Sequence, residues 1–147
     1  MVALLIVGTG ISTYLVERRT TTESENRIAH IAMHDALTNL ANRHQFTEAL
    51  RNECNALGDG GTPFALLMVD LDRFKPINDT LGHPIGDLVL QRIANRLRLA
   101  ARDGDIVARI GGDEFAIIAF GLGDPDAATT VAERVVEILS RPMIIEG

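Results

Sequence analysis

The chain has no tryptophan, one tyrosine and one cysteine in 147 residues, and aromatic residues make up 4% of it. A lone Cys54 excludes an internal disulfide and fits a reducing compartment. Its helical spacing with Phe46, Leu50 and Leu57 predicts a core filler rather than a nucleophile. No Cys/His clustering and no internal repeat is visible. Basic residues are in the minority, 14 against 20 acidic ones, for a net charge of −6. That balance argues against broad nucleic-acid binding. A polyanionic ligand would have to be held by metal ions and by local Lys or Arg. No uncharged run reaches the ~20 residues a spanning helix usually needs. The longest, residues 2–16, has no basic segment before it and no clear small-residue cleavage site, so a signal peptide is not expected. Glu17-Arg18-Arg19 follows directly. Arginine at that edge puts the downstream side in the cytoplasm, and Tyr14 suits the interface. Residues 1–16 therefore read as the tail of a transmembrane helix, and a buried or partner-facing helix is the alternative.

What is present is one domain's worth of chain with 46% hydrophobic residues, enough for a folded body. Residues 17–34 read as a helical linker. Ile28, Ile31, Met33, Leu37 and Leu40 follow at mixed spacing, compatible with a helix leaving the membrane and pairing with a partner. Residues 43–57 form an amphipathic helix capped by Asn42, with Phe46, Leu50 and Leu57 on one face. Gly58 to Pro63 is a loop. Phe64 to Val69 is a continuous apolar run that predicts a buried strand ending at Asp70. Leu81 to Pro84 turns into a helix running to about Ala101, with Ile85, Val89, Ile93 and Leu97 on one stripe. Ile106–Ile110 and Phe115–Phe120 predict a hairpin around Gly111–Glu114. Asp124-Pro125 starts a helix that Arg141-Pro142 ends. Helix, strand, helix, hairpin, helix is the order of an α/β layer fold, with helices on a sheet whose core is a hairpin.

Two groups of carboxylates sit at predicted strand ends: Asp70 and Asp72, then Asp113 and Glu114. If the hairpin pairs beside the first strand, they meet at one edge of the sheet. Adjacent carboxylates at a turn are poor for folding and good for a hard cation. Gly111 and Gly112 lack Cβ atoms, so a ligand can approach the backbone closely and positive φ is tolerated. Solvated acids at strand ends are the plain alternative, and the combination with two glycines is what makes the pattern specific.

The run Gly111-Gly-Asp-Glu-Phe115 resembles the signature of the diguanylate cyclase (GGDEF) family. Asp35-Ala-Leu-Thr-Asn-Leu-Ala-Asn-Arg43 resembles that family's opening motif, with Asn39 where Gly is usual, a mild change because Asn tolerates turn conformations. Asp70-Leu-Asp-Arg-Phe-Lys-Pro-Ile-Asn-Asp79 resembles its metal and phosphate segment. Leu81-Gly-His-Pro-Ile-Gly-Asp87 resembles its guanine segment. The likeness covers residues 35–147. It implies an α/β (α+β) fold, a nucleotide-cyclase or polymerase-palm-like antiparallel sheet flanked by helices. The family continues with further strands and a basic helix, so the chain is expected to be incomplete, with an open sheet edge and no turnover of its own.

Carried over by position, Asp70, the Leu71 carbonyl and Asp113 would hold Mg²⁺ or Mn²⁺. Asp113 would also accept the proton of the 3′-hydroxyl, with Glu114 its acidic neighbour and Lys75 stabilising triphosphate charge. Phe74 would give backbone contacts. Asn78, His83 and Asp87 would contact the nucleotide, Asn78 and Asp87 reading guanine. Gly111 and Gly112 would admit phosphate. Arg102 and Asp105 resemble the family's product-inhibition site. Each has an ordinary reading as well. Asn78 and Asp79 are common turn residues, and His83 precedes a proline. Asp87 in a first helical turn complements the dipole. Lys75 reads as a surface charge, and Arg102 suits a helix end. The implied activity is condensation of two GTP into cyclic di-GMP by a homodimer at the inner membrane, with the domain in the cytoplasm. The alternative is a GTP- or cyclic-di-GMP-binding module regulating a phosphodiesterase. The spelling around Phe74–His83 also resembles domains followed by a phosphodiesterase (EAL) domain.

Overall fold

The computed structural model describes residues 32–145. The expected membrane segment, and the linker up to residue 31, lie outside the described residues. From His34 onward the chain forms one compact unit. Its elements are α1 (Arg43–Gly58), β1 (Ala65–Asp70), α2 (Phe74–Leu81), α3 (His83–Ala100), β2 (Ile106–Arg109), β3 (Glu114–Ala119) and α4 (Pro125–Ser140). This is an α+β arrangement of four helices and one three-stranded antiparallel sheet among the described residues.

The strand order is β1-β3-β2, so the hairpin does pair beside the first strand. Phe115 to Ala119 are all buried. A short, unbroken apolar run suits a central strand covered on both faces. One face of the sheet packs Phe115 and Ile117 against Leu90, Ile93 and Leu97 of α3 and Val135 of α4. The other packs Ala108, Ala116 and Ile118 against Phe46 of α1. Each large side chain buried in these layers contributes ~1.5–3 kcal/mol.

Caps fall where the residue types predict. Asn42 accepts from the Gln45 amide and Asp124 from the Ala127 amide. On α3 the buried stripe is Leu90, Ile93, Ala94 and Leu97, while Ile85 and Val89 are half-buried.

Four expectations need correction. Cys54 is exposed rather than a core filler, and Leu57 is 45% exposed. Only the first turns of α1, through Phe46, Ala49 and Leu50, meet the sheet cluster. β1 is not buried throughout. It is an edge strand whose exposure alternates, with Leu66 at 44% and Met68 at 60%. Both pair with residues on the face that α1 covers over β2 and β3, but β1 carries its share of that face uncovered. Asn78 and Asp79 lie on α2, not in a turn. Pro76 masks this helix in the sequence, although proline is tolerated within a first helical turn. Finally, Leu37 and Leu40 belong to a folded turn and not to a helix continuing from the linker. Leu40 is buried and Leu37 packs against the same cluster.

Candidate active site

β1 ends where β3 begins. Asp70 pairs in register with Glu114, and the Leu71 amide donates to the Asp113 carbonyl at 3.3 Å. The expected meeting of carboxylates is thus produced by strand register. Asp70, Leu71, Asp72 and Phe74 line a cleft of about 530 Å³, whose far wall includes Val89 and Leu139. Among the described residues no three His, Cys, Asp or Glu side chains converge on one point as a ready metal cage. Two carboxylates with one backbone carbonyl would make an all-oxygen set, the kind that suits a hard cation which keeps waters and takes substrate oxygens as further ligands.

The turn between β2 and β3 is closed by the Ile110 amide donating to the Glu114 carbonyl at 2.9 Å. Neither Gly111 nor Gly112 has a positive φ, so backbone conformation does not demand glycine at either place. A Cβ on Gly112 would meet nothing within 4 Å. A Cβ on Gly111 would stand 3.1 Å from Glu114 Oε2. The chain's own packing leaves Gly112 free to vary. What a side chain there would obstruct is approach from outside.

Arg109 ties this turn to the start of the domain. Its Nη2 and Nε donate to the Gly112 carbonyl at 2.8 and 3.2 Å, and its Nη1 donates to Asp35 Oδ1 at 3.2 Å. Asp35 Oδ1 also accepts from the Thr38 amide at 2.9 Å and the Thr38 hydroxyl at 2.7 Å. The segment then joins β2, with the Ala41 amide donating to Val107 and the Arg109 amide to Ala41. Within it Asn39 adopts φ 53°, the left-handed conformation its residue type tolerates.

Burial pushes the Asp35 carboxyl up, but the Thr38 bonds and then Arg109 outweigh it and hold it below its usual 3.8. A carboxylate with a depressed folded pKa stabilises the fold above its unfolded value, and that contribution is lost as pH falls through the folded value. Asp35→Asn should therefore cost about 1–2 kcal/mol at pH 7. The difference from the parent should shrink as pH drops below 3.8. Urea melts at pH 7 and pH 3 check this, and a pH-independent difference would remove the charge from the explanation.

The nucleotide-contact candidates occupy α2 and α3. Phe74 is buried at the start of α2. Asn78 Oδ1 is buried and has no hydrogen-bond partner among the described residues. It sits against Gly86, where a Cβ would run into it and would also lie 3.3 Å from Phe74 Cζ. Gly86 is thus the residue that lets α3 approach Asn78. Lys75, His83 and Asp87 are exposed, and Lys75 makes no ion pair among the described residues. Asp87 stands in the second turn of α3, so the helix-dipole explanation offered for it weakens.

Arg102 and Asp105 form a loop whose inner bonds were not expected. Asp105 Oδ2 accepts from the Arg102 amide at 2.8 Å and Oδ1 from the Phe120 amide at 3.2 Å. Both carboxylate oxygens therefore serve the loop, while the exposed Arg102 guanidinium makes no ion pair among the described residues. Both residues line a polar cavity of about 370 Å³ shared with Gln45 and Arg98. Sequence reasoning missed Arg43, whose Nε reaches the Ile110 carbonyl at 3.0 Å across 67 residues. It also missed Arg134, whose Nε and Nη2 are buried without hydrogen-bond partners among the described residues. Arg43 closes the opening motif, but nothing in residue spacing signals its reach to Ile110 or the burial of Arg134.

The family described as diguanylate cyclase, GGDEF domain, matches residues 32–147. Diguanylate cyclase TpbB of Pseudomonas aeruginosa is 41% identical over 116 residues, which are 79% of this chain and 27% of that protein. The bifunctional diguanylate cyclase/cyclic di-GMP phosphodiesterase MucR of the same species is 40% identical over 119 residues, 81% of this chain and 17% of that protein. Among solved structures, the coiled coil and GGDEF domain of DgcB from Caulobacter crescentus, in complex with c-di-GMP, superposes with a TM-score of 0.83 at 33% identity. That match covers 93% of this chain and 72% of the DgcB chain. The chain thus spans about a quarter of the length of TpbB.

Proposed function

The chain belongs to the diguanylate cyclase GGDEF domain family, and from that premise we propose that the protein carrying this domain condenses two GTP into cyclic di-GMP with release of two pyrophosphates. The observation that carries the reading is the register that brings Asp70, Leu71 and Asp113 to one strand end beside the cleft. Asp70, the Leu71 carbonyl and Asp113 would hold Mg²⁺ or Mn²⁺. When bound, the ion supplies charge neutralisation on the phosphates and orientation of the attacking oxygen.

Asp113 takes the proton from the 3′-hydroxyl of one GTP, and Glu114 keeps that edge acidic. The freed oxygen attacks the α-phosphate of the GTP held by a second copy, so the active form is a homodimer. Lys75, on the first turn of α2, offsets charge on the leaving pyrophosphate. The N-terminus of α2 has no side-chain cap, which leaves first-turn amides after Phe74 for phosphate, while the Phe74 amide itself donates to the Leu71 carbonyl at 3.3 Å. Asn78 and Asp87 read guanine, His83 borders it, and Gly111 and Gly112 admit the phosphates to the turn.

Equilibrium dialysis of radiolabelled GTP with Mg²⁺ against the chain tests the binding half of this reading. Retention of GTP is expected, and none retained at millimolar protein would refute it. For the chain taken alone we propose binding without turnover, because β1 presents an edge unpaired among the described residues and the dimer needs a rigid sheet.

Product is read by Arg102. With Asp105 occupied by its own loop, the free planar fork for a phosphate or guanine edge belongs to Arg102. In the active protein Arg102→Ala should raise the inhibition constant for cyclic di-GMP by about tenfold or more. The initial rate should be preserved, since the residue lies outside the metal turn. An unchanged inhibition constant would reduce this segment to a loop.

A regulatory binding module is the second reading, favoured by the likeness to a bifunctional cyclase/phosphodiesterase. It would place a phosphodiesterase (EAL) domain downstream. Location at the inner membrane with a cytoplasmic domain rests on the apolar residues 2–16 and on Arg18-Arg19. Among the described residues no helix is long and apolar enough to cross a membrane.

A further inference from the structure

Arg43 is the first residue of α1, and its Nε donates to the Ile110 carbonyl at 3.0 Å. Its Nη2 lies 3.8 Å from the point a Cβ on Gly111 would occupy, and Glu114 Oε2 lies 3.1 Å from the same point. A guanidinium and a carboxylate thus flank the bare α-carbon of Gly111. They do not pair with each other, because the described ion pairs are Arg109–Asp35 and Arg141–Glu137. Neutralising Glu114 is therefore not what holds Arg43 there.

The electrostatic setting calls for a fixed cation. Asp70, Asp72, Asp113 and Glu114 all belong to this end of the sheet, and a triphosphate entering it meets like charge. Arg109 cannot answer that charge, since its nitrogens are engaged with Gly112 and Asp35. Arg43 uses only Nε, and its two terminal nitrogens have no hydrogen bond or ion pair among the described residues. The bond from Nε fixes the guanidinium plane against the turn, which lowers the entropy cost of engaging an anion.

We infer that Arg43 is a phosphate-binding residue of this site, holding an anionic oxygen of a nucleotide seated on the Gly111–Gly112 turn. The inference rests on the nucleotide reading above and adds a residue that reading did not include. Gly111 then has a stated reason to be glycine. A side chain there would fill the space between guanidinium and carboxylate through which the phosphate enters.

The test is calorimetric titration of the chain with two probes in Mg²⁺: guanosine 5′-[α,β-methylene]triphosphate and guanosine. Arg43→Ala should weaken the triphosphate by about tenfold or more, the loss of a charge-assisted contact, and guanosine by less than about twofold. Arg43→Lys, which keeps the charge without the fork, should recover part of the triphosphate loss. Equal loss of both probes would overturn the inference, because it would mean that Arg43 only shapes the turn through Ile110. So would an unchanged triphosphate affinity in a variant with native circular dichroism. Should Arg43→Ala fail to fold, Arg43→Lys carries the same comparison, and a larger loss for triphosphate than for guanosine supports the inference. Failure of the unsubstituted chain to bind either probe would overturn the nucleotide reading itself. Intact binding with no response to Arg43 would overturn this inference alone.

Discussion

Asp113→Ala in the active protein is expected to abolish cyclic di-GMP synthesis, by about 10³-fold or more, while the fold survives. The residue is asked to do two things at once, as a ligand to the divalent ion and as acceptor of the 3′-hydroxyl proton. Its contribution to folding is of another kind. The Asp113 backbone carbonyl receives the Leu71 amide, and that bond is available to any residue at this position. The Arg109 bonds that hold the turn run to the Gly112 carbonyl and to Asp35, and they do not involve the Asp113 side chain. Removing a carboxylate from a crowded acidic edge should leave stability unchanged or raise it by a few tenths of a kcal/mol, roughly the size of a surface charge pair. Asp113→Asn preserves shape and removes both functions, so it should be nearly as inactive as the alanine variant. Chromatographic rates alongside thermal melts separate the two roles. A variant keeping more than a tenth of the parent rate would remove Asp113 from the chemistry.

The second large effect concerns the base. Asn78→Ala combined with Asp87→Ala is expected to lower discrimination of GTP over ATP by about 10² or more. A site that hydrogen-bonds one purine edge leaves buried polar groups unpaired against the other, and it is this mismatch that rejects the wrong base. Asn78 has a feature that distinguishes a recognition role from a structural one. Its buried Oδ1 is unpartnered, so the fold gains no hydrogen bond from it. A buried acceptor without a partner costs about 1–3 kcal/mol, and removing it should be neutral or stabilising. Asn78→Ala should therefore keep or raise the melting temperature while losing guanine preference. A sharp fall in melting temperature, with GTP still preferred to the same degree, would make Asn78 a packing residue wedged against Gly86 and Phe74.

How much of this was legible in the sequence depends on how local each determinant is. The Asn42 and Asp124 caps, the hairpin around Gly111–Glu114 and the end of β1 at Asp70 follow from residue types within a few positions, and they stand where expected. The buried Phe115–Ala119 run reads correctly because a central strand is covered on both sides. The similar run at Phe64–Val69 reads as buried but is not, because sheet position decides exposure and an edge strand can carry the same residues. Cys54 and Leu57 share a helical stripe with Phe46, but a stripe records only which residues face alike. How far the underlying sheet extends is set by tertiary packing. The hidden α2 shows how Pro76 and Asn78 outweigh the Phe74, Ile77 and Leu81 spacing in a local reading. The carboxylates Asp70 and Asp113 could be named from motif and strand ends. The cations that border them could not. Arg43 reaches Ile110, and Arg109 reaches Asp35 across 74 residues, contacts that no periodicity encodes.

In the proposed function, the Asp70 strand end and the Gly111–Glu114 turn form one site for joining two guanosine triphosphates. The most direct measurement is incubation of the active protein with α-³²P-labelled GTP and Mg²⁺, resolving products by chromatography and counting released pyrophosphate. Label is expected in cyclic di-GMP, with two pyrophosphates per product molecule and loss of both signals in Asp113→Ala. Label recovered only as unreacted GTP or GDP, or cyclic di-GMP formed equally well by Asp113→Ala, would contradict the proposed function.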